Sequence, residues 1–205
     1  MCSPVKRAAA PASSMAGPSW TGRLDDQLGR FDVAEARQDR ASRLLDDAAA
    51  LAALSAITSL VRGGLNEGDA AGSSLYEATT LLLDQLTQPD VWPALYVRWE
   101  MGLLSALGFG LDLQECAVSG ANDGLTHVSP RTGRAVRGSE AEPYVDRLFA
   151  LPAFLIDPKA DVFPGDIAAG LRLTGHFIES RLFASVHRGL PPERERLLRR
   201  ISALG

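Results

Sequence analysis

A chain of 205 residues with a formal net charge of −4 and 46% hydrophobic residues has room for one domain plus a small appendage, with the apolar content of an ordinary globular protein. Its longest apolar runs, such as AAALAAL and LFALPAFLI, are too short to span a bilayer. The charge is uneven: residues 1–19 carry +2, 20–63 carry −1, 64–108 carry −5, 109–163 carry −3 and 164–205 carry +3. The acidic total argues against a surface that binds nucleic acid all round, and leaves the C-terminal stretch as the ordered basic region.

Residues 1–19 are rich in Ala, Pro and Ser, with Lys6 and Arg7 but no sustained apolar core. That composition excludes a secretory signal and reads as a disordered leader. A cytoplasmic location is expected, and the isolated Cys2 and Cys116 suit a reducing compartment without structural disulfides. The next stretch, WTGRLDDQLGRFDVAEAR, alternates weakly through Leu24, Leu28, Phe31 and Val33. It reads as one strand or a ragged hairpin that needs a sheet to join.

From Asp39 to about Arg62 the Ala- and Leu-rich sequence predicts a helix, with Leu44, Ala48, Leu51, Leu54 and Val61 near one stripe and Gly63-Gly64 as its stop. After the polar loop NEGDAAGSS, Ser74 is the candidate cap for a helix over LYEATTLLLDQL. In PDVWPALYVRWEMGLLSALG, Trp92, Leu95, Trp99, Leu103 and Leu107 recur at helical spacing, and Gly108 supplies the end. That stripe is core. Two further amphipathic helices, PGDIAAGLRLTGHFIESRLFASV and PPERERLLRRISAL, each open on Pro. No repeat of solenoid period interrupts this mainly α pattern.

Between the helical halves, CAVSGANDGLTHVSPRTGRAV (residues 116–136) has Gly and Ser turns around two short alternating runs. It predicts a small β-hairpin, with Leu125 and Val128 as its packing anchors. It also has the outline of a zinc ribbon without the ligands. Tetrahedral zinc takes four thiolate or imidazole donors, whereas here Cys116 is followed by Ser119 at the paired position, and His127 is the only other soft donor nearby. No metal and no other cofactor are expected. Catalysis is not expected either: there is no GxSxG, Walker or dinucleotide-binding pattern. His127, His176 and His187 are scattered, and His176 with Glu179 is half of a di-metal motif with no second half.

The stretch YVRWEMGLLSALGFGLDLQECAVSGANDGLTHVSPRTGRAV strongly resembles the RecO family of bacterial recombinational repair proteins, and the likeness continues through PYVDRLFALPAFL and GHFIESRLF. The resemblance runs from about Trp20 to the C-terminus. It implies an N-terminal OB-fold, a helical body with an inserted zinc-ribbon-like module, and a mediator that binds single- and double-stranded DNA. It also implies strand annealing, partnership with RecR, binding of the acidic tail of single-strand-binding protein, and help in loading RecA. The expected organisation is a leader over 1–19, the last strand region of an OB-fold over 20–37, a first half of the helical body over 38–110, a degenerate ribbon hairpin over 111–139 and a second half of the body over 140–205. The chain reads as lacking most of the OB-fold, where basic grooves and aromatic platforms for single strands usually lie; DNA binding is therefore expected to be weakened.

An acidic tail with an apolar end needs a hydrophobic pocket beside a guanidinium. Arg98, beside Trp99 and Leu103, is the first candidate, with an ordinary salt bridge as its other reading. Arg181 in ESRLF is the second candidate, for the tail, a phosphate or a buried carboxylate. For DNA the available charge is Arg131, Arg134 and Arg137 on the hairpin and Arg194, Arg196, Arg199 and Arg200 near the end. Such contacts position nucleic acid without reading its sequence. The terminal arginines equally suit a solvated helical face. The competing function is a helical protein-interaction module that keeps its partners and has lost DNA.

Overall fold

In a computed structural model of the chain, residues 19–21, 30–33, 40–65, 72–184 and 189–202 are described. The chain divides into two compact units, Met1–Arg40 and Ala41–Gly205. In the first, strand β1 (Ser19–Thr21) pairs antiparallel with β2 (Arg30–Val33), placing Trp20 opposite Phe31 and Thr21 opposite Arg30. Of the two readings offered by the alternation, the hairpin is the one found. The expected leader, apart from Ser19, lies outside the described residues.

The second unit is mainly helical. Helix α1 runs Ala48–Gly64 and not from Asp39, because the Asp47 carboxylate accepts the N–H groups of Ala49 and Ala50, each at 2.9 Å. Such a cap is worth about 1 kcal/mol. The residues before it form only a short 3₁₀ turn, Ser42–Leu44. The buried face of α1 also differs from the expected one: Ala50, Ala53, Ala56, Ile57 and Leu60 face the core, while Ala48 is exposed and Leu51, Leu54 and Val61 are half-buried. The alanines let helix α6 (Pro192–Ser202) lie close along α1.

Helix α2 spans Gly72–Gln85, so Ser74 falls inside the first turn and does not precede it. Helix α3, Trp92–Ala106, buries Trp92, Trp99 and Leu103 as the spacing predicts, with Leu95 and Leu107 packed at the edge of the core. The Trp99 indole donates to Thr79 Oγ1 at 2.9 Å and ties α3 to α2. Gly108 ends the helix at φ +81°. After the hairpin region, helix α5 spans Pro164–Phe177 and passes into a wider π turn, Ile178–Phe183. One continuous α-helix was expected there. The Asp166 carboxylate fixes the start of α5 by accepting the Phe163 N–H at 3.0 Å. Among the described residues no helix is long and apolar enough to cross a membrane.

Between α3 and α5 lies a three-stranded antiparallel sheet of order β4-β3-β5, built from β3 (Leu125–Val128), β4 (Ala135–Arg137) and β5 (Phe149–Ala150). The single helical turn α4, Gly138–Ala141, follows β4 directly. The expected hairpin is therefore present, with a third strand that two residues of weak alternation did not announce.

Candidate functional site

The chain turns back on itself at Cys116. Gly120 N–H donates to the Cys116 carbonyl at 2.9 Å, Cys116 N–H donates to the Ala121 carbonyl at 2.7 Å, and Gly120 has φ +73°. Ala117 N–H then reaches the Ala135 carbonyl at 2.8 Å and joins this knuckle to β4. The buried Cys116 sulfur accepts the backbone N–H groups of Val118 at 3.4 Å and Arg137 at 3.3 Å. Burial pushes the thiol up, but hydrogen bonds from the Ser119 side chain and from the Ser119, Arg137 and Val118 amides outweigh it and bring it from 9.0 to about 7. His127 Nδ1 lies 2.9 Å from Thr126 Oγ1. The donors do not fit zinc: among the described residues no three His, Cys, Asp or Glu side chains gather as a ligand set, and tetrahedral zinc needs four donors.

The sheet itself is held by apolar anchors. Leu125, Val128, Ala135 and Val136 are all buried, as alternation predicted for the first two. A bulge between Leu125 and His127 shifts the register, so that His127 faces Val136 and Val128 faces Ala135.

The tip of the hairpin, SPRTGR, is fastened to the helical body by its own carbonyls. His176 Nε2 lies 3.1 Å from the Pro130 carbonyl, so this nitrogen carries the proton. The Arg181 guanidinium donates to the Thr132 carbonyl at 2.8 Å and the Phe109 carbonyl at 3.2 Å, and sits 4.5 Å above the Phe177 ring. Gly133, at φ +74°, makes this approach possible: a Cβ there would lie 2.7 Å from Arg181 Nη2. Arg181 is thus a clamp between the π turn and the hairpin tip. His176, which with Glu179 has only half of a di-metal motif in the sequence, serves the same joint.

Arg98 is also engaged internally. Its Nε and Nη2 donate to the Phe154 carbonyl at 3.2 and 2.7 Å, and its guanidinium lies 5.7 Å from the centre of the buried Phe154 ring. The alternative of an ordinary salt bridge is replaced by a carbonyl clamp on the turn Ala153–Leu155.

The remaining arginines divide by environment. Arg131 is exposed at the hairpin tip and has no carboxylate partner among the described residues. Arg134 pairs with Asp112 at 3.1 Å and Glu115 at 3.0 Å, and Arg137 pairs with Asp123 at 3.1 Å. Arg196, Arg199 and Arg200 are exposed on α6, with Glu195 3.9 Å from Arg199.

Arg194 requires a correction. It was counted with the charge available to DNA, yet it is 2% exposed. Its Nε and Nη2 grip Glu100 of α3 at 2.7 and 2.8 Å, and Nη2 also donates to the Leu171 carbonyl at 2.7 Å. The Thr174 hydroxyl donates to the same carboxylate. Gly175 leaves room for the guanidinium, since a Cβ there would stand 2.6 Å from Arg194 Nη1. Burial alone would lower the Arg194 pKa, but the Glu100 charge and hydrogen bonds hold it above its ordinary value. Nearby, burial first and the Glu100 charge second raise the Tyr96 phenol well above 10.0. Sequence reasoning missed this pair, although Glu100 sits one turn after Tyr96 and one before Leu103, on the apolar face of α3.

The family description Recombination protein O C terminal matches residues 26–189. The DNA repair protein RecO of Hyphomonas neptunium is 88% identical over 197 residues, covering 96% of this chain and 81% of that protein. Its counterpart in Phenylobacterium zucineum is 47% identical over 186 residues, covering 91% and 76%. The one in Rhodospirillum rubrum is 46% identical over 203 residues, covering 95% and 79%. With a family match over most of its length and relatives this similar, the chain belongs to the RecO family of DNA repair proteins.

Proposed function

We propose that this chain is a recombination mediator that binds DNA, captures the acidic tail of single-strand-binding protein, and works with RecR to load RecA and anneal strands in the bacterial cytoplasm. The observation that carries this reading is the hairpin tip fastened to the helical body by His176 and Arg181, with Arg131 exposed there and without a carboxylate partner among the described residues. An exposed cation on an anchored turn is suited to phosphate. Arg134 and Arg137 on the hairpin, and Arg196, Arg199 and Arg200 on α6, add charge around it. For the acidic tail, Arg98 and Arg181 are half-buried beside aromatic rings and keep guanidinium donors beyond those used on internal carbonyls. The knuckle at Cys116 is read as a zinc ribbon whose metal has been replaced by amide hydrogen bonds. The division into a strand region of an OB-fold over 20–37, two body halves over 38–110 and 140–205, and the ribbon over 111–139 belongs to the same reading.

One observation favours the second reading, a helical interaction module that retains partners without DNA. Arg134 and Arg137 are already paired with carboxylates, and Arg194 is buried. Fluorescence anisotropy with a labelled single-stranded oligonucleotide separates the two. A phosphate binder loses affinity with rising salt, its log–log slope falling by about 0.7 per phosphate contacted, and Arg131→Glu weakens it further. No DNA binding, with the tail peptide still bound, selects the interaction module.

A further inference from the structure

A cavity of about 400 Å³ opens where α1, α3 and α5 begin and α6 ends. It falls within the roughly 300–1,000 Å³ range of sites that enclose a ligand or a few side chains. Its floor and walls are apolar: Trp92 and Ala94 from α3, Ile167 from α5 and Ile201 from α6. Phe163 and Val162 form its lip and are 64% and 43% exposed, and Val91, beside Trp92, is 43% exposed. Large side chains left uncovered around a concavity mark a docking surface more often than scattered single ones do.

The charged side chains described along its lining have one sign: Asp47, which caps α1, and Asp90 line the cavity, and no Lys or Arg is among the described lining residues. Asp90 has no cationic partner among the described residues, and the exposed Asp46 and Asp161 directly precede Asp47 and Val162, against one exposed cation, Arg200, directly before Ile201. We propose that this groove docks a short segment of a partner protein in which apolar side chains are flanked by Lys or Arg. The apolar residues fill the cavity between Trp92 and Ile201, and the cations meet Asp90 and its neighbours at the rim. Opposite charges across an interface speed encounter and select the partner. The same rim repels an acidic tail and an anionic lipid surface, and a second copy of this chain would bring a second acidic rim against the first. The groove is therefore separate from the tail and DNA surfaces proposed above and stands independently of them.

Two fluorescein-labelled hexapeptides of equal apolar content test this on the full chain by anisotropy, one with Arg-Leu-Phe-Arg-Leu-Lys and one with Glu-Leu-Phe-Glu-Leu-Asp. The basic peptide is expected to bind saturably and at least about tenfold more tightly than the acidic one, a difference of roughly 1.4 kcal/mol. Asp90→Lys and Phe163→Ala each weaken it several-fold; both positions are exposed, so neither change unfolds the protein. Equal or tighter binding of the acidic peptide overturns the proposal, as does binding of neither or indifference to both substitutions. Concentration-dependent dimerisation abolished by Phe163→Ala assigns the groove to a second copy and overturns it equally.

Discussion

Two sets of ion pairs in this molecule use the same chemistry in opposite surroundings. In the helical body, Arg194 and Glu100 meet with almost no exposure, surrounded by Tyr96, Thr174 and the Leu171 carbonyl. In the hairpin module, Arg134 reaches Asp112 and Glu115 with its side chain 37% exposed and theirs 47% and 53%. The buried pair has given up its water, so each charge depends on the other and on the Thr174 and Leu171 groups bonded to it. The hairpin pairs keep theirs and are screened by salt. The lesson is that arginine count and spacing describe a surface only after burial is known.

The sharpest way to break that contrast is Arg194→Ala. It leaves the buried Glu100 carboxyl without its ion-pair partner, and urea unfolding is expected to show a loss of about 3–5 kcal/mol. A loss under about 1 kcal/mol would place the pair with the surface ones. Gly175→Ala, which forces a Cβ against the same guanidinium, should fall between these limits, at roughly 1–3 kcal/mol.

Arg181→Ala comes next. It frees the Thr132 and Phe109 carbonyls and removes the guanidinium from the Phe177 ring, for an expected loss of about 1–3 kcal/mol. Hydrogen exchange should quicken first at residues 129–134, because the hairpin tip loses its fastening while the body stays folded. Exchange that quickens evenly across the chain would mean the clamp serves the whole fold.

Cys116 gives a pH-dependent effect. Its folded pKa of about 7 lies below the ordinary 9.0, so between these values the unfolded chain holds more protons than the folded one. Its contribution is complete above pH 9.0 and is lost as pH falls through 7. Stability is therefore expected to rise across that window, and Cys116→Ser should remove the rise. An unchanged slope in the variant would show that the amide hydrogen bonds do not favour the thiolate. The smallest effect is that of Arg134→Ala, about 0–1 kcal/mol and smaller still at high salt. A larger loss would mean that the pairs also hold Asp112, whose N–H donates to the Gly133 carbonyl at 3.1 Å, against the hairpin.

Much of the architecture was legible in local pattern. The Trp stripe of α3, the Gly108 stop, the hairpin with Leu125 and Val128 inward, and Pro at the openings of α5 and α6 all follow from spacing and backbone preference. These are short-range properties, and a single segment contains all the information they need. At one helix start the local pattern was less decisive. The sequence starts the first helix at Asp39, whereas the carboxylate of Asp47 is the one that captures two amides.

The roles of the arginines were decided elsewhere. Arg194 does carry a local sign, since Arg194, Leu197 and Ile201 share one helical stripe, yet nothing nearby names its partner. Glu100 lies 94 residues away, on another helix. Arg181 and Thr132 are 49 apart, and Arg98 and Phe154 are 56 apart. A guanidinium looks the same in sequence whether it will meet a phosphate, a carbonyl or a buried carboxylate. Only packing brings the acceptor within 3 Å and removes the water, and the removal of water determines whether the charge faces outward as a binding surface or inward as part of the frame.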